Sequence, residues 1–412
     1  MAAGAGPAAR TEASGQSVVN RSMGRWVDGS MGGKKAHMRV LEVVTGGEPG
    51  GAQRHVADVT QGLRAAGHDV RVVHGGGRWL QTVVGPTDYL PTLTRSVHPR
   101  ADWAAYRSLL VLIARYRPSV VHAHSSKAGL LARLAAGTGG VPAVYTAHGF
   151  VFTDPTRPVW ERALYRAVEG WAGRGSAAVI TISARDAAWA RAAGIPRVEP
   201  IVNGVAVPRA AWTPPPGPPW RVGFLSRFSA EKGFGVLIRA MARAGPSYKL
   251  VVGGDGPLAA RYRAAAARAG LSATFLGWQA DASDFFAQVH ALAIPSWKEG
   301  LPYTLLDALA LGVPTVVTDV GAMGDVVRPL DPRLVVPAGD PKSLTIALAA
   351  AVEQATTGAL SFTDAARTHM ARHFDVRRMV ARTTAVLEEA GHEQQHPRRG
   401  PDGRGPGGSP PG

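Results

Sequence analysis

The residues best equipped for chemistry stand in one run, Pro295-Ser-Trp-Lys-Glu-Gly-Leu-Pro-Tyr-Thr-Leu-Leu-Asp-Ala-Leu-Ala-Leu-Gly-Val-Pro314. The pattern reads as a strand end, a short loop and a helix with Pro302 near its first position, where a missing N–H costs nothing. The amides of Leu301, Tyr303 and Thr304 fall among the unpaired donors of that helix start. With the helix dipole they make a seat for a diphosphate. Glu299 stands just before the helix, and Asp307 follows five residues past Pro302. Carboxylates beside a phosphate seat repel phosphate, so their expected work is to accept hydrogen bonds from hydroxyls of a sugar or ribose.

Cations stand in a second run. Phe224-Leu-Ser-Arg-Phe-Ser-Ala-Glu-Lys-Gly233 sets Arg227 and Lys232 five apart across a strand-to-helix turn. Both can face the phosphate seat and neutralise a departing diphosphate without a metal. Thr45-Gly-Gly-Glu-Pro-Gly-Gly-Ala-Gln-Arg-His55 joins the first strand to the first helix, and Gly47, Gly50 and Gly51 let its backbone approach a ligand. Its spacing is not the dinucleotide fingerprint. Tyr145-Thr-Ala-His-Gly-Phe150 closes a strand with His148 at its edge. Val121-His-Ala-His-Ser-Ser-Lys-Ala-Gly-Leu130 puts His122 and His124 on one strand face, the placement of a metal pair. No third ligand stands near them in the sequence, so no metal site is expected. Ser126 and Lys127 open the next helix, where a phosphate-bearing acceptor can dock.

The elements that must hold these residues alternate. Short apolar runs at 38–44, 70–74, 120–122, 141–146, 178–182 and 198–202 are separated by helical patterns, the rhythm of a parallel sheet with right-handed crossovers. Trp212-Thr-Pro-Pro-Pro-Gly-Pro-Pro-Trp220 joins neither sheet nor helix and reads as a stiff linker. The rhythm then restarts at 221–225. The expected division is a tail over 1–37, an acceptor-side domain over 38–208 and a linker over 209–220. A nucleotide-sugar domain over 221–362, closing helices over 363–390 and a tail over 391–412 follow. Both tails lack apolar periodicity and are expected to be disordered, with Met38 a candidate start. Two doubly wound α/β units place a ligand cleft between their strand ends. The helix over 158–173 carries a stripe of Trp160, Leu164, Val168 and Trp171 flanked by Arg157, Arg162, Arg166 and Arg174. Core packing is its expected fate, with a basic amphipathic face against anionic lipid as the alternative.

The second-half runs resemble a known family. Glu299-Gly300-x-Pro302 with an acid eight residues after the Glu, then Ala308-Leu-Ala-x-Gly-x-Pro314, is similar to family 4 of the retaining glycosyltransferases, whose GT-B fold is two Rossmann-like domains facing each other across a cleft. The Arg227–Gly233 run, the Gly-Asp-Gly-Pro turn ending at Pro257 and Leu276-Gly277-Trp278 extend the resemblance. It implies that Glu299 contacts the donor sugar, Asp307 the ribose, Arg227 and Lys232 the diphosphate, and the backbone at Gly277 and Trp278 the base. It further implies that the loop with Gly47, Gly50 and Gly51 closes over donor and acceptor. His148 would orient the donor sugar and steady charge at the anomeric carbon. Where the family carries Glu, this chain has Asp307, one methylene shorter. Val320-Gly-Ala-Met-Gly-Asp-Val-Val327 matches a further stretch, with Ala322 where a glycine is usual and Asp325 as its acid. The run from Val121 resembles the subgroup that builds capsular, exopolysaccharide or glycan-chain repeats on lipid carriers.

The implied activity is a retaining, metal-independent hexosyltransferase that moves a sugar from a nucleotide-diphosphate donor to a hydroxyl acceptor, expected to be a lipid-linked glycan. No cofactor is expected, and a UDP-sugar is the default donor by family frequency. No Asp-x-Asp occurs for a metal clamp, and no cysteine for thiolate chemistry. The net charge of +16 admits nucleic acid, but no recognition helix, aromatic platform or zinc motif accompanies it. With no apolar run of membrane length, a cytoplasmic enzyme is expected, with peripheral contact at the inner membrane face. A sugar-nucleotide epimerase of the same fold is the alternative.

Overall fold

The computed structural model describes residues 37–395, so most of both expected tails lies outside it. The first sheet is parallel, in the order β3-β2-β1-β4-β5-β6-β7. Its strands are β1 (Arg39–Val44), β2 (Asp69–His74), β3 (Asp88–Tyr89), β4 (Val120–His124), β5 (Ala143–Ala147), β6 (Ala178–Thr181) and β7 (Val198–Pro200). The crossovers are α1 (Gly51–Ala65), α2 (Trp79–Val84), α3 (Pro99–Tyr116), α4 (Ser126–Thr138), α5 (Val159–Arg174) and α6 (Ala184–Ala192). Helices on both faces explain why β4 and β5 are buried along their whole length.

The second sheet is also parallel, in the order β10-β9-β8-β11-β12-β13. It holds β8 (Trp220–Leu225), β9 (Tyr248–Gly253), β10 (Ala273–Gly277), β11 (Ala291–Ile294), β12 (Thr315–Thr318) and β13 (Val335–Val336). Its helices are α7 (Phe234–Ala244), α8 (Ala259–Arg268), α9 (Ala282–Phe286), α10 (Tyr303–Leu311), α11 (Met323–Val327), α12 (Pro341–Thr356) and α13 (Ala359–His373). Strand orders that reverse at β1/β4 and β8/β11 create the two switch points, and the strand carboxyl ends there line the cleft.

Three details differ from the sequence expectation. The linker ends one residue earlier, because Trp220 already pairs with Tyr248 in β8. It is anchored as well as stiff: Trp212 is buried, its amide donates to Leu311 O and its indole to Phe286 O. Second, the closing helix breaks at Phe374–Asp375, where Val205 forms a bridge with Asp375. The following helix, α14 (Val376–Gln395), passes the expected end at Ala390 and returns to the first domain. There Met379, Val380, Leu387 and Ala390 share a core with Val40, Val44, Val56 and Ile180.

The third difference concerns the stripe on α5, which is not core. Trp160, Leu164 and Trp171 are exposed, together with Val159. The buried face of α5 is instead Glu169, Gly170, Ala172 and Gly173. A Cβ on Gly173 would crowd Ile195, so small residues set a close approach that leaves the large ones outside.

Because α14 is the second-domain chain buried in the first-domain core, Leu387→Ala should destabilise the fold by about 2–5 kcal/mol. A urea titration followed by tryptophan fluorescence checks this, and an unchanged midpoint would show that α14 is not part of that core.

Candidate active site

Where β8 ends, the chain makes a short 3-10 turn, Ala230–Lys232, and then Gly233 at φ +68°. A Cβ on Gly233 would overlap Pro295 O, so glycine alone lets this turn lie against the end of β11. The Trp297 amide locks the approach by donating to Glu231 O at 2.8 Å. This brings Lys232 Nζ within 2.6 Å of Glu299 Oε1, an oxygen that also accepts from Ser296 Oγ at 2.9 Å. Arg227 is the outlying member. It is about half exposed, 3.9 Å from Glu231, and stands at the rim.

After Glu299 the chain passes Gly300 and Leu301 into α10. Pro302 occupies the capping position, one residue earlier than the sequence reading placed it. Among the described residues the amides of Tyr303 and Thr304 have no hydrogen-bond partner, as the first turn of a helix requires. Opposite lies the start of α1, capped by Gly50. A Cβ on Gly51 would sit 3.6 Å from the Tyr303 ring, so two helix starts face each other across the cleft. Gly47 supports that loop, its amide donating to Gly76 O. Gly277 ends β10 and Trp278 follows it, with Trp278 exposed and Gly277 O accepting from the Gly254 amide.

The domains meet backbone to backbone. Gly149, at φ +93°, would place a Cβ 3.1 Å from the Gly300 amide, and a Cβ on Gly300 would press on His148 O. His148 therefore stands beside the Gly300–Leu301 turn. Lys298 donates to Gly149 O at 3.2 Å, and Asn203 donates to Leu301 O at 2.8 Å. Burial pulls the Lys298 ammonium below its ordinary pKa, with Lys232 adding to the effect.

Asp307 reaches the same cleft but is held by Arg54 of α1 at 2.5 Å. The Arg54 guanidinium also lies 4.5 Å over the Tyr303 ring. Asp58, one turn further along α1, is buried beside the pair. Burial pushes its carboxyl up to about 7; Arg54 opposes this and Asp307 adds to it.

The first-domain histidines are more crowded than their spacing suggests. Glu42, in register with His122 on β1, supplies the third group missing from the sequence reading: its oxygens meet His122 Nδ1 at 3.0 Å and His124 Nε2 at 2.7 Å. These three offer ligand atoms within 4.8 Å of one another and are the described group able to hold a metal. Their contacts also close as hydrogen bonds, since His122 Nε2 meets Thr146 Oγ1 and His124 Nδ1 meets His148 Nε2. Burial holds His124 and His148 well below the ordinary histidine pKa, with neighbouring histidines adding to it. His55 is pushed down to about 4, again first by burial.

The acceptor-side pair divides. Ser126 contacts the Tyr145 hydroxyl at the start of α4. The Lys127 ammonium is held by Asp102, Ser96 O and Thr94 Oγ1. Asp325 is exposed in the first turn of α11, 3.8 Å from Arg328, and Ala322 is buried. Sequence reasoning missed Glu42, Arg54, Asn203 and Lys298. An acid inside the apolar run Arg39–Val44 was the available signal for Glu42.

Two family models match the chain: Glycosyltransferase Family 4 over residues 49–209 and Glycosyl transferases group 1 over residues 219–354. A protein of Bacillus subtilis (strain 168) named glycosyltransferase EpsD is 29% identical over 60% of this chain and 71% of its own length. The UDP-Gal:alpha-D-GlcNAc-diphosphoundecaprenol alpha-1,3-galactosyltransferase of Escherichia coli is 26% identical over 58% of this chain and 68% of its own. The crystal structure of Anabaena HepE in complex with UDP-glucose superposes with a TM-score of 0.71 at 20% identity, over 86% of this chain and all of that one. At that identity it shows the shared GT-B fold.

Two outcomes test this geometry. Gly233→Ala should cut turnover at least about tenfold by pushing the Lys232 turn away from the end of β11 and so from the phosphate seat, since a small misplacement at a reacting centre is costly; a steady-state assay showing full turnover would refute the constraint. For Asp58, the raised folded pKa means that wild type loses stability as pH rises from about 4, the unfolded value, to about 7. Asp58→Asn should therefore gain stability over wild type above pH 7 and lose that gain towards pH 4. Thermal melts across this range would show the reverse trend, or none, if Asp58 were freely solvated.

Proposed function

The chain belongs to glycosyltransferase family 4, and from that premise we propose that it transfers a hexosyl unit with retention, and without a metal, from a UDP-sugar to a hydroxyl of a lipid-linked glycan. That it is a glycosyltransferase follows from the family. The finer reading rests above all on the cluster in which Lys232, Glu299 and the free first-turn amides of α10 lie together opposite His148. Both family models describe transferases, which weighs against the epimerase alternative.

The diphosphate would sit on the amides of Tyr303 and Thr304, with Lys232 and Arg227 taking the charge that grows as the bond to the anomeric carbon breaks. Glu299 and Gly300 lie at the donor sugar, and Asp307 at the ribose once Arg54 gives way. Gly277 and Trp278 remain assigned to the base, and Gly47, Gly50 and Gly51 to the lid over donor and acceptor. The leaving phosphate itself would deprotonate the incoming hydroxyl on the same sugar face. Positioning and fixed charge are then the protein's whole contribution. Lys232 can serve the phosphate only by loosening its pair with Glu299, which couples donor binding to the freeing of Glu299 for the sugar.

The acceptor side is read from Ser126 and from α5. No helix among the described residues is long and apolar enough to cross a membrane. Exposed Trp160, Leu164 and Trp171, with Arg166 and Arg174 on the same helix, suit a face that rests on anionic lipid where a lipid-linked acceptor is presented. The UDP-sugar assignment is supported by the UDP-Gal donor of the galactosyltransferase and the UDP-glucose bound to HepE. The enzyme would work at the inner face of the membrane, with no nucleic-acid partner.

Lys232→Ala should lower turnover by at least about 100-fold, the scale of losing a charge-stabilising donor. Transfer assays with UDP-, GDP- and ADP-sugars on lipid-linked and free acceptors check this; near-normal turnover would refute the role of Lys232. Replacing Trp160 and Trp171 together with Ala should weaken sedimentation with phosphatidylglycerol vesicles without changing turnover on a water-soluble acceptor. Equal sedimentation would remove α5 from the membrane contact.

A further inference from the structure

The buried chain behind His148 has a direction, and the direction follows from one side chain. Glu42, His122 and His124 are fully buried. A carboxylate can only accept hydrogen bonds, so Glu42 Oε2 takes the proton-bearing Nε2 of His124 and Glu42 Oε1 the proton-bearing Nδ1 of His122. His122 Nε2 is then an acceptor for the Thr146 hydroxyl, 2.8 Å away. His124 Nδ1 is likewise an acceptor, and its partner, His148 Nε2 at 3.2 Å, must carry the proton. His148 Nδ1 is left bare and has no partner among the described residues. The His148 ring is held between His124, stacked at 24° and 5.4 Å, and His55, edge-on at 76° and 4.9 Å. Its rotation is therefore restricted too.

We propose that Glu42 is a positioning residue which, through His124, fixes His148 as the Nε2–H tautomer and leaves Nδ1 as the ring's acceptor at the cleft. The inference deepens the proposed function, resting on the reading that His148 touches the donor sugar. A ring with this polarity accepts from a sugar hydroxyl and offers a lone pair, not a positive charge, near the anomeric carbon. Burial, which holds both His124 and His148 itself below the ordinary histidine pKa, agrees with it.

Histidine 15N resonances of the full chain report the tautomer directly. The account expects His148 protonated at Nε2 and bare at Nδ1, and a proton on Nδ1 would overturn it. Two replacements of Glu42 extend the test. Glu42→Leu removes both acceptors, so His148 should show mixed tautomers. Its kcat should fall about 10-fold or more with donor KM within about 3-fold, the scale of losing an orienting partner. Glu42→Gln keeps one acceptor, and the Thr146 hydroxyl can rotate to let His122 reverse, so His124 and His148 should keep their tautomers and kcat stay within about 3-fold. A Glu42→Leu protein with the wild-type tautomer and kcat would overturn the inference. If that variant fails to fold, the wild-type spectrum and the Glu42→Gln protein decide. Full turnover in His148→Ala would instead remove His148 from the donor site, whatever its tautomer.

Discussion

The backbones of Gly149 and Gly300 meet with no room for a side chain between them, and the rest of the cleft is arranged around that contact. It joins the end of β5 to the loop after β11, so His148 and Glu299 face one space although they belong to different sheets. Gly233 makes the matching approach inside the second domain, laying the Lys232 turn against Pro295. Three glycines thus convert two ordinary parallel sheets into one site. The helix α14 secures the arrangement from behind by burying second-domain chain in the first-domain core.

Charge within this frame is paired before any substrate arrives. Lys232 is bonded to Glu299 and Arg54 to Asp307, each pair drawing together a group assigned to phosphate or α1 and a group assigned to sugar or ribose. On the proposed reading the diphosphate would compete with Glu299 for Lys232, and the ribose hydroxyls with Arg54 for Asp307, so both halves of the donor would be needed to open both pairs. The shortness of Asp307 acquires a physical sense here: its reach is met by Arg54 from across the cleft rather than by its own side chain.

Local signals were legible in the sequence and tertiary ones were not. The parallel rhythm, the two domains and the run from Pro295 to Pro314 rest on short-range patterns that a single chain displays. Glu42 meets His122 across 80 positions and Arg54 meets Asp307 across 253, and no spacing rule reaches that far. Lys127 looked free at a helix start because Asp102 lies on a different helix. The α5 stripe was misread because its inner face packs through Gly170, Ala172 and Gly173, which carry no hydrophobic signal of their own.

The central proposal is displacement on one face of the donor sugar, driven by fixed protein charge. The most direct measurement is the anomeric configuration of the product, read by proton NMR, when an α-linked UDP-hexose is supplied with a hydroxyl acceptor in the presence and absence of EDTA. The account predicts an α-linked product formed at the same rate in both. A β-linked product, or turnover abolished by EDTA and restored by a divalent cation, would contradict it.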